Sequence, residues 1–115
     1  MIQRLLAEKV TSLLGGKKAI VIIGARQVGK STLLHSMLQD RKDTLWLNGD
    51  EQDVRELFRD ISSTRLRAII GDHKLVVVDE AQRIEQIGLR LKLITDQMEG
   101  IQVIATGSRF SAFRG

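Results

Sequence analysis

The 115-residue chain contains no cysteine and no proline, and three phenylalanines and one tryptophan are its only aromatic residues. Without cysteine there are no disulfides and no thiolate metal sites, and the cytoplasm is the default compartment. So few aromatics leave no row of rings on which single-stranded bases could stack. Long apolar runs are missing too. The longest, AIVII and LVVV, fall far short of the roughly 18 residues a membrane span requires. Arg4, Glu8 and Lys9 interrupt the N-terminus where a signal-peptide core would lie. No membrane partner is expected.

No block of one charge sign stands out either. The net charge is +4, enough to allow a polyanionic partner. Lys17, Lys18, Arg41, Lys42, Arg55, Arg59, Arg65, Arg67, Arg90 and Lys92 are scattered among acids, a pattern that favours solvated helix faces. Nucleic acid stays open as the weaker alternative.

What is present is an aliphatic-rich, globular composition, with 43% hydrophobic and 28% charged residues. That length and balance predict one domain over residues 1–115 that buries a core with little to spare. Ile2, Leu5, Leu6, Val10, Leu13 and Leu14 recur at helical spacing before Gly15 and Gly16, predicting an opening amphipathic helix. KKAIVII is a β-branched run typical of a strand buried on both faces. A helical stripe follows at Leu33, Leu34, Met37 and Leu38, and TLWLN is a second strand. Val54, Leu57, Phe58 and Ile61 predict a helix whose start is signalled by Asp53 and Glu56. A shorter helix is expected at STRLRAII, closed by Gly71. HKLVVVDEAQ is a third strand. Ile87, Leu91, Ile94 and Met98 share a helical face ending at Gly100, and IQVIATG is a fourth strand.

Strands that are apolar throughout, alternating with helices, predict an α/β fold: a mostly parallel sheet in a three-layer αβα arrangement. Ligands in such sheets bind at the carboxyl ends of the strands. GARQVGKST, DEAQ and TGS each end or directly follow a predicted strand, so the fold brings them to one rim.

Gly24, Ala25, Arg26, Gln27, Val28, Gly29, Lys30 and Ser31 match G-x-x-x-x-G-K-[ST] in full, with Thr32 next. Chance gives this string in roughly a few per thousand chains of this length. Its strand–loop–helix setting is the one a phosphate cradle needs. Glycines let the backbone N–H groups turn inward, and the helix N-terminus adds a positive dipole. Lys30 would reach the β- and γ-phosphates, and the Ser31 hydroxyl would coordinate Mg²⁺.

Asp79 and Glu80 end the third strand. Asp79 is suited to hold the water shell of Mg²⁺, and Glu80 to orient or deprotonate an attacking water. The alternative is that both acids only cap the next helix. Thr106 and Ser108 offer hydroxyls that could sense a γ-phosphate, the alternative being an ordinary Thr-Gly-Ser turn. Gln82 and Arg26 could add polar contacts. His35 and His73 have no partner at metal-ligand spacing and are expected at the surface or at helix ends.

With GARQVGKSTLL, LVVVDEAQRI and VIATGS in this order, the chain resembles the ATPase domain of a bacterial and archaeal AAA-superfamily group, over residues 2–108. In that group the domain usually precedes a C-terminal domain. The resemblance implies a sheet in the order 5-1-4-3-2, ATP and Mg²⁺ as cofactors, Lys30 and Ser31 in the first nucleotide motif, Asp79 and Glu80 in the second, and Thr106 or Ser108 as sensor. RFSAFRG departs from the group, which continues toward an arginine, a fifth strand and a helical lid. Neither Arg109 nor Arg114 is assigned as an arginine finger. The expectation is thus the N-terminal part of a longer protein, truncated after the fourth core strand, with slow or impaired ATP hydrolysis.

Two functions remain in play. One is an ATP-hydrolysing core; the other is a non-catalytic, nucleotide-dependent interaction module, with a second copy of the chain or nucleic acid as open partners. No N/T-K-x-D string follows the fourth strand, which weighs against a GTPase, and the Asp-Glu pair weighs against a small-molecule kinase.

Overall fold

The computed structural model describes residues 19–23, 30–59 and 62–108. The expected opening helix, the loop at 24–29, Ile61 and the RFSAFRG segment lie outside those residues. Four apolar runs form strands β1 (Ile20–Ile23), β2 (Thr44–Asn48), β3 (Leu75–Asp79) and β4 (Gln102–Gly107). They make one parallel sheet in the order β1-β4-β3-β2, which agrees with four positions of the implied 5-1-4-3-2 arrangement.

Parallel neighbours need crossovers, and helices supply them. Helix α1 (Lys30–Leu38) links β1 to β2, α2 (Gln52–Arg59) and α3 (Ser63–Ile70) link β2 to β3, and α4 (Ile87–Gln97) links β3 to β4, preceded by a 3₁₀ turn at Ala81–Arg83. Helix α2 starts at Gln52, so Asp53 stands in its first turn and not at the capping position expected of it. Helix α3 is bounded as its sequence predicts. The Ser62 hydroxyl accepts from the Arg65 N–H at 3.2 Å, and Gly71 follows the last turn at φ 55°, where a Cβ would be strained.

Side chains alternate across the strands, so the sheet feeds two cores, one on each face. Leu75, Val77, Ile104, Ile20 and Ile22 face α1, where Leu34 and Leu38 bury against them. Val76, Val78, Val103 and Ala105 face the opposite way, under α2, α3 and α4. The predicted face of α4 is the buried one: Ile87, Leu91 and Ile94 are buried, with Met98 just beyond the helix. Phe58, Leu34 and Ile94 are almost wholly enclosed, each such side chain stabilising the fold by about 1.5–3 kcal/mol.

Strand β1 departs from its expected burial on both faces. Ile20 and Ile22 are enclosed, but Val21 and Ile23 are each 39% exposed. The reason is position: β1 ends the sheet among the described residues, and the helices over the Val21 face pack on the other strands.

Candidate functional site at the carboxyl rim of the sheet

Parallel strands all end at the same rim. Ile23, the residue before Gly24, is in register with Gly107, and Ile22 with Thr106. The GARQVGKST segment therefore leaves β1 beside the end of β4 and returns as α1, which opens with Lys30 and Ser31. Residues Gly24, Ala25, Arg26, Gln27, Val28 and Gly29 lie outside the described set. Thr32 is exposed on the first turn of α1.

Alternation decides which way the rim residues face. Asp79 follows Leu75 and Val77 on the α1 face, and Thr106 follows Ile104 on the same face. The two side chains meet. The Thr106 hydroxyl donates to Asp79 Oδ1 at 2.5 Å and is completely buried. It also accepts from the Glu80 N–H at 3.2 Å, while that N–H shares Asp79 Oδ1 at 3.1 Å. Thr106 and Gly107 are strand residues, which corrects the reading of Thr-Gly-Ser as a turn; only Ser108 follows the strand.

Glu80 turns the chain. Its backbone is left-handed, φ 51° and ψ 44°, and its side chain makes no capping bond to the 3₁₀ turn that follows. A non-glycine residue there costs on the order of 1–2 kcal/mol. The Glu80 side chain therefore does not cap that turn, and α4 begins only at Ile87. Gln82 ties the turn together: its Nε2 donates to Glu80 Oε1 at 2.9 Å, and its Oε1 accepts from the Ser108 N–H at 3.3 Å.

A family model described as an AAA domain matches residues 16–114. The chain belongs to the AAA domain family. That places the AAA domain among P-loop nucleotide-binding ATPases. A solved structure of a DNA replication initiation factor has a similar fold, with a TM-score of 0.66 and 20% identity, over 93% of this chain and 38% of that one. This AAA domain spans well under half the length of that protein. No curated protein matches it significantly.

The geometry of the AAA domain also brings in residues that its sequence did not single out. The Gly49 N–H donates to the Asp79 carbonyl at 2.7 Å. A Cβ at Gly49 would stand 2.3 Å from the Glu80 carbonyl oxygen, so only glycine allows β2 to end against the Asp-Glu turn. Arg55 fixes this corner, its Nη1 donating to the Gly49 and Asp50 carbonyls at 2.9 and 2.7 Å. The available signal was a glycine directly after TLWLN, at the same rim as DEAQ.

The donor set fits Mg²⁺ carried by a nucleotide. Asp79 engages Thr106 and the Glu80 N–H through Oδ1 alone, leaving Oδ2 without a hydrogen-bond partner among the described residues. Also among the described residues, no group of three or more His, Cys, Asp or Glu could hold a metal ion. Mg²⁺ bound mainly by phosphates and water needs only one or two carboxylates. The two histidines lie elsewhere. His35 stacks on Trp46 at 3.8 Å, and His73 Nδ1 lies 2.7 Å from the Ile70 carbonyl at the end of α3. Among the described residues no helix is long and apolar enough to cross a membrane.

Proposed function

We propose that this AAA domain binds ATP with Mg²⁺ at the carboxyl rim and hydrolyses it. The observation that supports this best is the meeting of Thr106, Asp79 and the Glu80 N–H at the carboxyl rim, beside the strand end from which the full G-x-x-x-x-G-K-S match departs.

In this reading residues 24–32 cradle the phosphates, Lys30 pairs with the β- and γ-phosphates, and Ser31 and Asp79 hold Mg²⁺. The metal would supply charge neutralisation of the phosphate oxygens. Glu80 accepts a proton from the attacking water as its oxygen bonds to the γ-phosphorus and the bond to the bridging oxygen of ADP breaks. Thr106 fixes the Asp79 carboxylate, and Ser108 senses the γ-phosphate. Where an arginine from outside this constellation is needed, turnover without it is slower by about 10³–10⁵.

Single-turnover hydrolysis by wild type and Glu80→Gln tests the proposal. A drop of about 10²-fold or more is expected in the variant; equal rates would favour a nucleotide-dependent interaction module. That second reading has its own support in the exposed Val21 and Ile23 face of β1. The likeness to a DNA replication initiation factor and the net charge of +4 make nucleic acid the partner to try first.

A further inference from the structure

We propose that Gln82 is a positioning residue for Glu80, coupling its carboxylate to the chain after β4; this rests on the reading of Glu80 as the base. A carboxylate on a left-handed residue at a strand end has several rotamers open to it. A base must stand within hydrogen-bond reach of the water it serves, and a misplacement of about 1 Å can cost 10²-fold in rate. The Gln82 amide holds one oxygen of that carboxylate. It donates to Glu80 Oε1 at 2.9 Å and accepts from the Ser108 N–H at 3.3 Å, so one planar group spans the DEAQ and TGS segments.

The backbone supports the same linkage from below. The Arg83 and Ile84 N–H groups donate to the Glu80 and Ala81 carbonyls at 3.1 and 3.0 Å, and Ala81 is fully buried. The turn carrying Gln82 is thereby fixed relative to Glu80. Any shift of Ser108 on nucleotide binding is then transmitted through the Gln82 amide to the Glu80 carboxylate. The arrangement uses both halves of the amide, which a methionine of similar length cannot reproduce.

The test is a double-mutant cycle on single-turnover ATP hydrolysis with wild type, Glu80→Gln, Gln82→Met and the double variant, with Mg·ATP affinity measured by calorimetry for each. Gln82→Met is expected to slow hydrolysis about tenfold to hundredfold, with affinity changed less than about threefold. In the Glu80→Gln background the same substitution is expected to have no further effect, because its route to the reaction is already gone. A structural role would instead weaken affinity, and its rate effect would add to that of Glu80→Gln. Either of those results, or a Gln82→Met rate equal to wild type while Glu80→Gln is slow, overturns the proposal. An unaltered rate in Glu80→Gln overturns the reading of Glu80 itself.

Discussion

The Thr106 hydroxyl donates to Asp79 Oδ1 at 2.5 Å across the β3–β4 pair, and the same hydroxyl receives the Glu80 N–H. One buried group thus aligns the acid at the end of β3 and the turn beyond it. Thr106→Val preserves shape and removes both bonds, leaving Asp79 Oδ1 with the Glu80 N–H alone. A loss of about 1–3 kcal/mol in stability is expected from denaturant melts. Thr106→Ser, which keeps the hydroxyl, is expected to lose less.

Gly49→Ala tests the contact between β2 and the Asp-Glu turn. The added Cβ meets backbone, the Glu80 carbonyl at 2.3 Å, and backbone cannot rotate away. A destabilisation of about 1–3 kcal/mol is expected, together with slower single-turnover hydrolysis as Glu80 is displaced. A variant as stable and as active as wild type would show that the corner yields freely.

Trp46 is the one tryptophan, and it stacks on His35 with ring planes 9° apart. His35 lies on α1, the helix that opens with Lys30 and Ser31, so nucleotide at the start of α1 is expected to alter Trp46 emission. Titration with Mg·ATP should change the fluorescence of wild type, and His35→Ala should shift the starting spectrum and shrink the change. Saturable binding with no emission change would uncouple α1 from β2.

The hydrogen bond from the Arg41 guanidinium, at 2.8 Å, holds the Asp43 carboxyl below its ordinary range, with the Arg41 charge adding to the effect, and in turn raises the Arg41 value. Because the folded-state value of Asp43 is depressed, the pair's stabilisation is present above the ordinary carboxylate pKa of about 3.9 and is lost as pH falls through the lower folded value. Both side chains are 36% exposed, so the contribution is below about 1 kcal/mol. Denaturant midpoints measured from neutral pH down to about pH 3 should fall less steeply in Arg41→Ala than in wild type.

The strands were legible because parallel strands carry uninterrupted apolar runs, as at LVVVDE and VIATGS, whereas their order was implied only by the family resemblance. Periodicity found the Ile87, Leu91 and Ile94 face for the same reason. Sequence could not show that Val21 and Ile23 sit on an incompletely covered face, since an apolar run does not reveal whether its strand is central or at an edge. Nor did it show why Gly49 matters, which is a contact with Glu80 from the neighbouring strand end. The sequence suggested different tasks for Asp79 and Glu80, but only the register of β3 against β4 shows that Asp79 faces Thr106.

Calorimetric titration of Mg·ATP into wild type and Lys30→Ala tests the account most directly, because every assignment at the rim presumes a nucleotide held by residues 24–32. Saturable binding by wild type, weakened at least about tenfold in Lys30→Ala through loss of a charged phosphate contact, is the predicted result. No binding by wild type, or equal affinity in both proteins, would contradict it.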